Sequence, residues 1–93
     1  MSLAQISYFI AVAENGHVGR AAERLHISQP ALSRQIRGLE EELGVRLFER
    51  TRSGMTLLPP GIRFLVHARR VVDEVEAARN AVRTRYKENI ISE

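Results

Sequence analysis

Gln29, Pro30, Ser33, Arg34 and Arg37 place amide, hydroxyl and guanidinium groups, with one apolar ring, inside nine residues. At 100° per residue, Pro30, Ser33, Arg34 and Arg37 fall on one side of a helix, and Gln29 stands at its first turn. Their shared chemistry is the reading of nucleic-acid base edges. A glutamine amide can bond adenine through two hydrogen bonds, an arginine fork can bond guanine, and serine can donate or accept. A proline ring offers an apolar contact, for example to a thymine methyl. Arg50, Arg52 and Ser53 follow in a turn-like segment, where cations could meet a neighbouring minor groove or backbone. Each group taken alone also suits an ordinary solvated surface. Their joint occurrence, in order and within 40 residues or so, is what points to nucleic acid.

Such a face works only if the opposite side of the helix is anchored. Leu32, Ile36, Leu39 and Leu43 gather within about 60° on that side. Ser28 reads as the N-cap, Pro30 lies in the first turn where a missing amide costs nothing, and Gly44 takes the C′ position. A shorter helix is expected from about residue 18 to 25, with Ala21-Ala22 permitting close approach and His26-Ile27 as a tight connection. Ahead of it, Ser2-Leu3-Ala4-Gln5 fits a capping box. Leu3, Ile6, Phe9, Ile10 and Ala13 then repeat at helical spacing until Asn15-Gly16 stops them.

Beyond Gly44, residues 47–50 and 55–58 read as two short strands, with Thr51-Arg52-Ser53-Gly54 as the turn. Two strands alone are marginal, so this hairpin must lean on the helices through Phe48 and Leu57. Pro59-Pro60-Gly61 interrupts the chain, and a last helix is expected from about residue 60 to 87, roughly 40 Å long. Leu65, Ala68, Val72, Val75, Val82 and Tyr86 line one stripe of it, widened by Val71 and Ala78 and interrupted by Arg79. A 58-residue head cannot cover so long a helix. The same helix of a second chain is the simplest partner, which makes Leu65, Ala68, Val72, Val75, Arg79 and Val82 candidates for a dimer seam. The expected fold is mostly α: a winged helix-turn-helix of three helices and a short β-hairpin in residues 1–58, then a linker and dimerisation helix with a tail in residues 59–93.

Composition narrows the alternatives. The 93 residues are 44% hydrophobic and 27% charged, as in an ordinary globular domain. Net charge is only +3, but residues 43–70 carry +5 while Glu40-Glu41-Glu42 form an acidic run at the far end of the third helix. Thirteen of the fourteen bases are arginine. A GC-rich coding sequence accounts for that bias as well as phosphate binding does, but it does not account for the clustering. Cysteine is absent, which excludes disulfides, thiolate metal sites and a cysteine nucleophile. His17, His26 and His67 are scattered, without an acid–histidine pair at triad or ligand spacing and without a glycine-rich phosphate loop, so catalysis and a metal site are not expected. No apolar run approaches the ~20 residues of a membrane span, and no basic-then-apolar leader precedes the first helix. The residues after 61 are amphipathic and partly basic, but Asp73, Glu74 and Glu76 break the basic face, which argues against binding at a membrane surface.

The run from Arg20-Ala21-Ala22-Glu23-Arg24-Leu25-His26-Ile27 through Ser28-Gln29-Pro30-Ala31-Leu32-Ser33-Arg34-Gln35-Ile36 resembles the signature of LysR-type transcriptional regulators. The segments Tyr8-Phe9-Ile10-Ala11-Val12-Ala13-Glu14, Leu39 to Arg50 and Pro59-Pro60-Gly61 match as well, so the resemblance covers roughly residues 3–72. It implies a winged-helix head, an antiparallel dimer of linker helices and a homodimer on double-stranded DNA at an inverted-repeat promoter site, in the cytoplasm of a bacterium. By position it gives Gln29, Pro30, Ser33 and Arg34 the base-reading role and Arg50, Arg52 and Ser53 the wing; Ser28 and Arg37 complete the expected interface. Family members also carry a long C-terminal domain that binds a small effector. None of it lies within these residues, and no cofactor is expected in them.

Two positions depart from the family pattern. His17, followed by Gly19, stands where a hydroxyl residue often precedes the second helix, and Leu58 stands where threonine often precedes the linker helix. Each exchange is expected to weaken an N-cap by ~1 kcal/mol unless something compensates. The rival reading is a protein–protein dimerisation module that does not read DNA.

Overall fold

The computed structural model describes the backbone of residues 1–92 and the side chains of residues 1–83. Four helices and one hairpin follow in the order α1 (Leu3–Asn15), α2 (Val18–Leu25), α3 (Gln29–Leu43), β1 (Phe48–Thr51), β2 (Gly54–Leu57) and α4 (Pro59–Ser92).

Local chemistry sets the helix ends. Ser2 Oγ accepts from Gln5 N–H, and Gln5 Oε1 accepts from Ser2 N–H, which completes the expected capping box. Gly16 and Gly44 end α1 and α3 in the left-handed region, at φ 64° and 72°. The α2–α3 turn is tighter. His26 takes φ 57°, and its amide and that of Ile27 bond back to the last carbonyls of α2.

α1 is the hub: it packs on α2, α3, α4 and β2. That position buries Ile6 and Phe9, as the helical spacing requires, and also Ala11 and Val12, which the single stripe left out. Leu3, expected in the core, remains exposed at the start of the helix. Leu32, Ile36 and Leu39 of α3 are buried and Leu43 is half-buried, so the apolar wall of α3 faces α1 and α2 as expected.

The hairpin is antiparallel with Phe48 opposite Leu57 and Thr51 opposite Gly54. Relative to expectation both strands shift by one residue towards the tip, because Thr51 and Gly54 pair and leave only Arg52 and Ser53 to turn the chain. The expected anchors are in place: Phe48 is buried, and Leu57 packs against the core.

α4 corrects one expectation. It begins directly at Pro59 instead of after a break, since prolines at its first two positions supply no amide that the helix would leave unpaired. Leu58 donates its own N–H to Leu47 O and accepts from Ile62 N–H. The core also takes in residues from the first turns of α4. Phe64 stacks edge-on against Phe9, Ala68 is 2% exposed, and Leu65 and Val72 pack on the same cluster. Ala68 is thus buried by the chain's own head while Leu65 and Val72 stay half-buried, because the first turns of α4 lie along α1. Val75 is half-buried, while Arg79 and Val82 are exposed. Tyr86 and Lys87 lie outside the described side chains.

Gly61 explains the close seating of α4 on the hairpin. A Cβ there would lie 2.2 Å from Leu47 O and 2.9 Å from Leu57 Cδ2. Gly61→Ala is expected to push the first turn of α4 off the base of the hairpin, at Leu47 and Leu57, and to cost about 1–3 kcal/mol, the range for overpacking a closed site. Thermal unfolding followed by circular dichroism checks this. An unchanged melting temperature would show that the contact gives way freely.

Candidate nucleic-acid interface

The buried wall of α3 leaves its other side to solvent. Gln29, Pro30, Arg34 and Arg37 are exposed, and Ser33 is half-buried. Ser28 Oγ accepts from Ala31 N–H at 3.2 Å. Ser28 therefore fixes where α3 starts and so where Gln29 and Pro30 stand.

The wing joins this face. With a period of two along β1, Arg50 shares the side of Phe48, whose ring packs on Phe9 of α1. Gln29, Pro30, Ser33, Arg34, Arg37 and Arg50 line one concavity of about 450 Å³. Arg52 and Ser53 form the exposed tip of the hairpin. Thr51 Oγ1 donates to Gly54 O at 3.1 Å and lies 3.3 Å from Ser53 Oγ, which stiffens the turn that carries them.

Among the described residues, no carboxylate pairs with Arg34, Arg37, Arg50 or Arg52. The ion pairs lie elsewhere: Glu14 holds Arg24 at 3.0 Å and Arg69 at 3.9 Å, and Arg79 meets Glu76. Arg34, Arg37 and Arg50 line one concave surface and Arg52 stands at the hairpin tip beside it; four unneutralised guanidinium groups so placed attract an anion of extended shape. Beside them are the donor and acceptor groups that discriminate base edges.

Two residues that position the wing escaped the sequence reading. The Glu40 carboxylate accepts from Leu47 N–H at 2.6 Å and from Phe48 N–H at 3.3 Å. This member of the acidic run thus ties the end of α3 to the start of β1. Gly16 O accepts from Met55 N–H at 2.9 Å, so the α1–α2 turn holds the second strand. Gly54 makes that approach possible. Its φ is 145°, and a Cβ on it would lie 2.1 Å from Gly16 O. The sequence marked Gly54 as a turn glycine; its close neighbour 38 residues earlier leaves no local signal.

His17 reverses an expectation. Its Nδ1 accepts from Arg20 N–H at 3.2 Å, so the imidazole caps α2 where a hydroxyl was missing.

Among the described residues, no helix is long and apolar enough to cross a membrane, and no group of three acidic or histidine side chains could hold a metal ion.

Residues 3–62 match the family model described as bacterial regulatory helix-turn-helix protein, lysR family. The chain is 54% identical over 79 residues to the HTH-type transcriptional regulator ClcR of Pseudomonas putida, covering 85% of this chain and 27% of that protein. It is 55% identical over 73 residues to the HTH-type transcriptional regulator TfdS of Cupriavidus pinatubonensis, covering 78% of this chain and 25% of that protein. It thus spans about a quarter of the length of these curated relatives. Among solved structures, it resembles the CbnR_DBD-DNA complex, with a TM-score of 0.86, 44% identity and coverage of 90% of this chain and 97% of that one. The BenM_DBD/catB site 1 DNA complex gives a TM-score of 0.87, 38% identity and coverage of 90% and 94%. The α3 face, its caps and the wing fall within the matched residues, and the chain belongs to the LysR family of bacterial regulatory helix-turn-helix proteins.

Proposed function

We propose that this chain binds double-stranded DNA sequence-specifically, as a homodimer on an inverted-repeat promoter site, and serves a LysR-type transcriptional regulator in the bacterial cytoplasm, at the nucleoid. The observation that carries the reading is the single concavity formed by the bare side of α3 and Arg50, with the opposite wall of α3 buried. α3 enters the major groove, where Gln29, Pro30, Ser33 and Arg34 meet base edges. Arg37, Arg50, Arg52 and Ser53 meet the backbone and the neighbouring groove. Relatives that are DNA complexes by name, at 38–44% identity, support the same assignment. The small-molecule effector belongs to the longer protein that the curated relatives represent; this chain supplies no cofactor site to the reading.

The dimer seam lies on the part of α4 that the head leaves uncovered. Val71, Val75, Ala78 and Val82 fall within about 60° of one another. Val71 is 41% and Val82 69% exposed. The chain then divides into a head that includes α4 as far as Val72 and an arm beyond it.

Selection of bound duplexes from a random pool, at stated salt, tests the DNA reading. A recovered consensus with a dyad supports it; a pool that stays random overturns it in favour of a protein–protein module. Val82→Asp tests the seam. It is expected to raise the dimer dissociation constant at least tenfold, roughly 1.4 kcal/mol, because it places an unpaired charge in an apolar contact. Sedimentation equilibrium measures this, and an undiminished dimer would place the seam elsewhere.

A further inference from the structure

We propose that His17 is a further nucleic-acid contact, whose Nε2–H donates to a backbone phosphate of the bound duplex through a gap that Gly19 keeps open; the proposal rests on the DNA-binding reading above. His17 Nδ1 accepts the Arg20 N–H. A ring nitrogen that accepts carries no proton, so the N–H of this imidazole is at Nε2. The ring is held on Nδ1 and turns its donor away from the helix end.

Gly19 defines where the ring lies. A Cβ at position 19 would stand 2.9 Å from His17 Cε1, 3.1 Å from Nδ1 and 3.4 Å from Gln29 Oε1. The imidazole therefore occupies space that a side chain at 19 would claim, next to the amide assigned to a base edge. The departure at His17 and the glycine two positions on thus fit together in space: the ring lies where a side chain at 19 would stand.

His17, Gly19, Gln29, Arg50 and Arg52 line one cleft of about 150 Å³ between the start of α2, the start of α3 and the wing. His17 is exposed at its edge. An N–H donor and two guanidinium groups around one cleft, beside a base-reading amide, suit a phosphodiester oxygen. In helix-turn-helix docking the helix before the recognition helix crosses the backbone, and α2 is that helix.

His17→Ser separates the contact from the cap. Serine is a strong N-cap, so the melting temperature is expected to stay unchanged, while nothing remains at the place of Nε2. Affinity for the selected duplex and for an unrelated duplex is expected to fall by the same factor, about 3- to 10-fold, as for one hydrogen bond. The salt dependence is expected to stay the same, because a neutral N–H releases no counterion. Adding Gly19→Ser to His17→Ser puts a hydroxyl donor back into the vacated space and is expected to restore most of the loss. If His17→Ser binds both duplexes as tightly as the native chain, His17 is a cap and nothing more. A loss confined to the selected duplex overturns the phosphate assignment in favour of a base contact. If the native chain itself binds no duplex, the DNA-binding reading fails first and this proposal with it.

Discussion

Phe9→Ala is expected to remove about 3–5 kcal/mol of folding stability, the range for truncating a fully buried phenylalanine. Phe9 is 0% exposed. Its ring lies 5.2 Å from that of Phe48, tilted by 44°, and 4.9 Å from that of Phe64, edge-on at 86°. One side chain thus joins α1 to the wing strand β1 and to the first turns of α4. Aromatic pairs in such geometries contribute about 0.5–1.5 kcal/mol each beyond the area they bury. A domain of this length has roughly 5–14 kcal/mol in all, so the loss takes a large share of the total. Urea unfolding is expected to show a much lower midpoint with an unchanged slope, since the surface exposed on unfolding hardly changes. Leu3→Ala, at an exposed position of the same helix, is the control and is expected to shift stability by about 0.5 kcal/mol or less. A Phe9→Ala protein within 1 kcal/mol of the native one would mean that the wing and α4 are held by their backbone bonds and not by this aromatic joint.

The contrast between Phe9 and Glu40 marks what was legible in the residues. Helix positions, caps and the bare side of α3 are local: Ser28, Pro30 and Gly44 act on their own turns, and Leu32, Ile36 and Leu39 repeat at the helical period. Periods and caps are written within a few residues, so the exposed polar set of α3 could be assembled from the residues alone. The fixing of the wing is not local. Glu40 reaches amides seven and eight residues on, and Gly16 meets Met55 across 39 positions. No spacing rule pairs such residues. His17 shows a second kind of gap. Imidazole ranks below hydroxyl and carboxylate side chains as a cap, and only its ring geometry reveals that Nδ1 takes the role. α4 shows a third. Its stripe was visible, but which half the head would cover depends on how the helix crosses α1. Packing sets that crossing, and helix period alone does not.

Gln29→Ala and Arg34→Ala together are expected to weaken binding to the selected duplex by about 2–6 kcal/mol, because each well-placed pair of base contacts contributes about 1–3 kcal/mol. In affinity this is roughly thirty-fold to 10⁴-fold. The two positions are five residues apart on α3 and exposed. Positions so spaced do not face each other, so their single effects are expected to add closely. Folding is expected to hold. Neither side chain is part of the buried cluster, and alanine favours the helix more than either native residue. An unrelated duplex is the decisive comparison. Gln29→Ala removes no charge, so it is expected to leave binding to that duplex unchanged. Arg34→Ala removes one cation, and its loss on the unrelated duplex is expected to be small beside its loss on the selected one. Repeating the pool selection with each variant should relax preference at one base position and leave the rest of the consensus intact. Equal losses on both duplexes would make these residues backbone contacts. Sequence reading would then belong to Ser33, Pro30 or the wing, and α3 would position the chain on DNA without choosing the site.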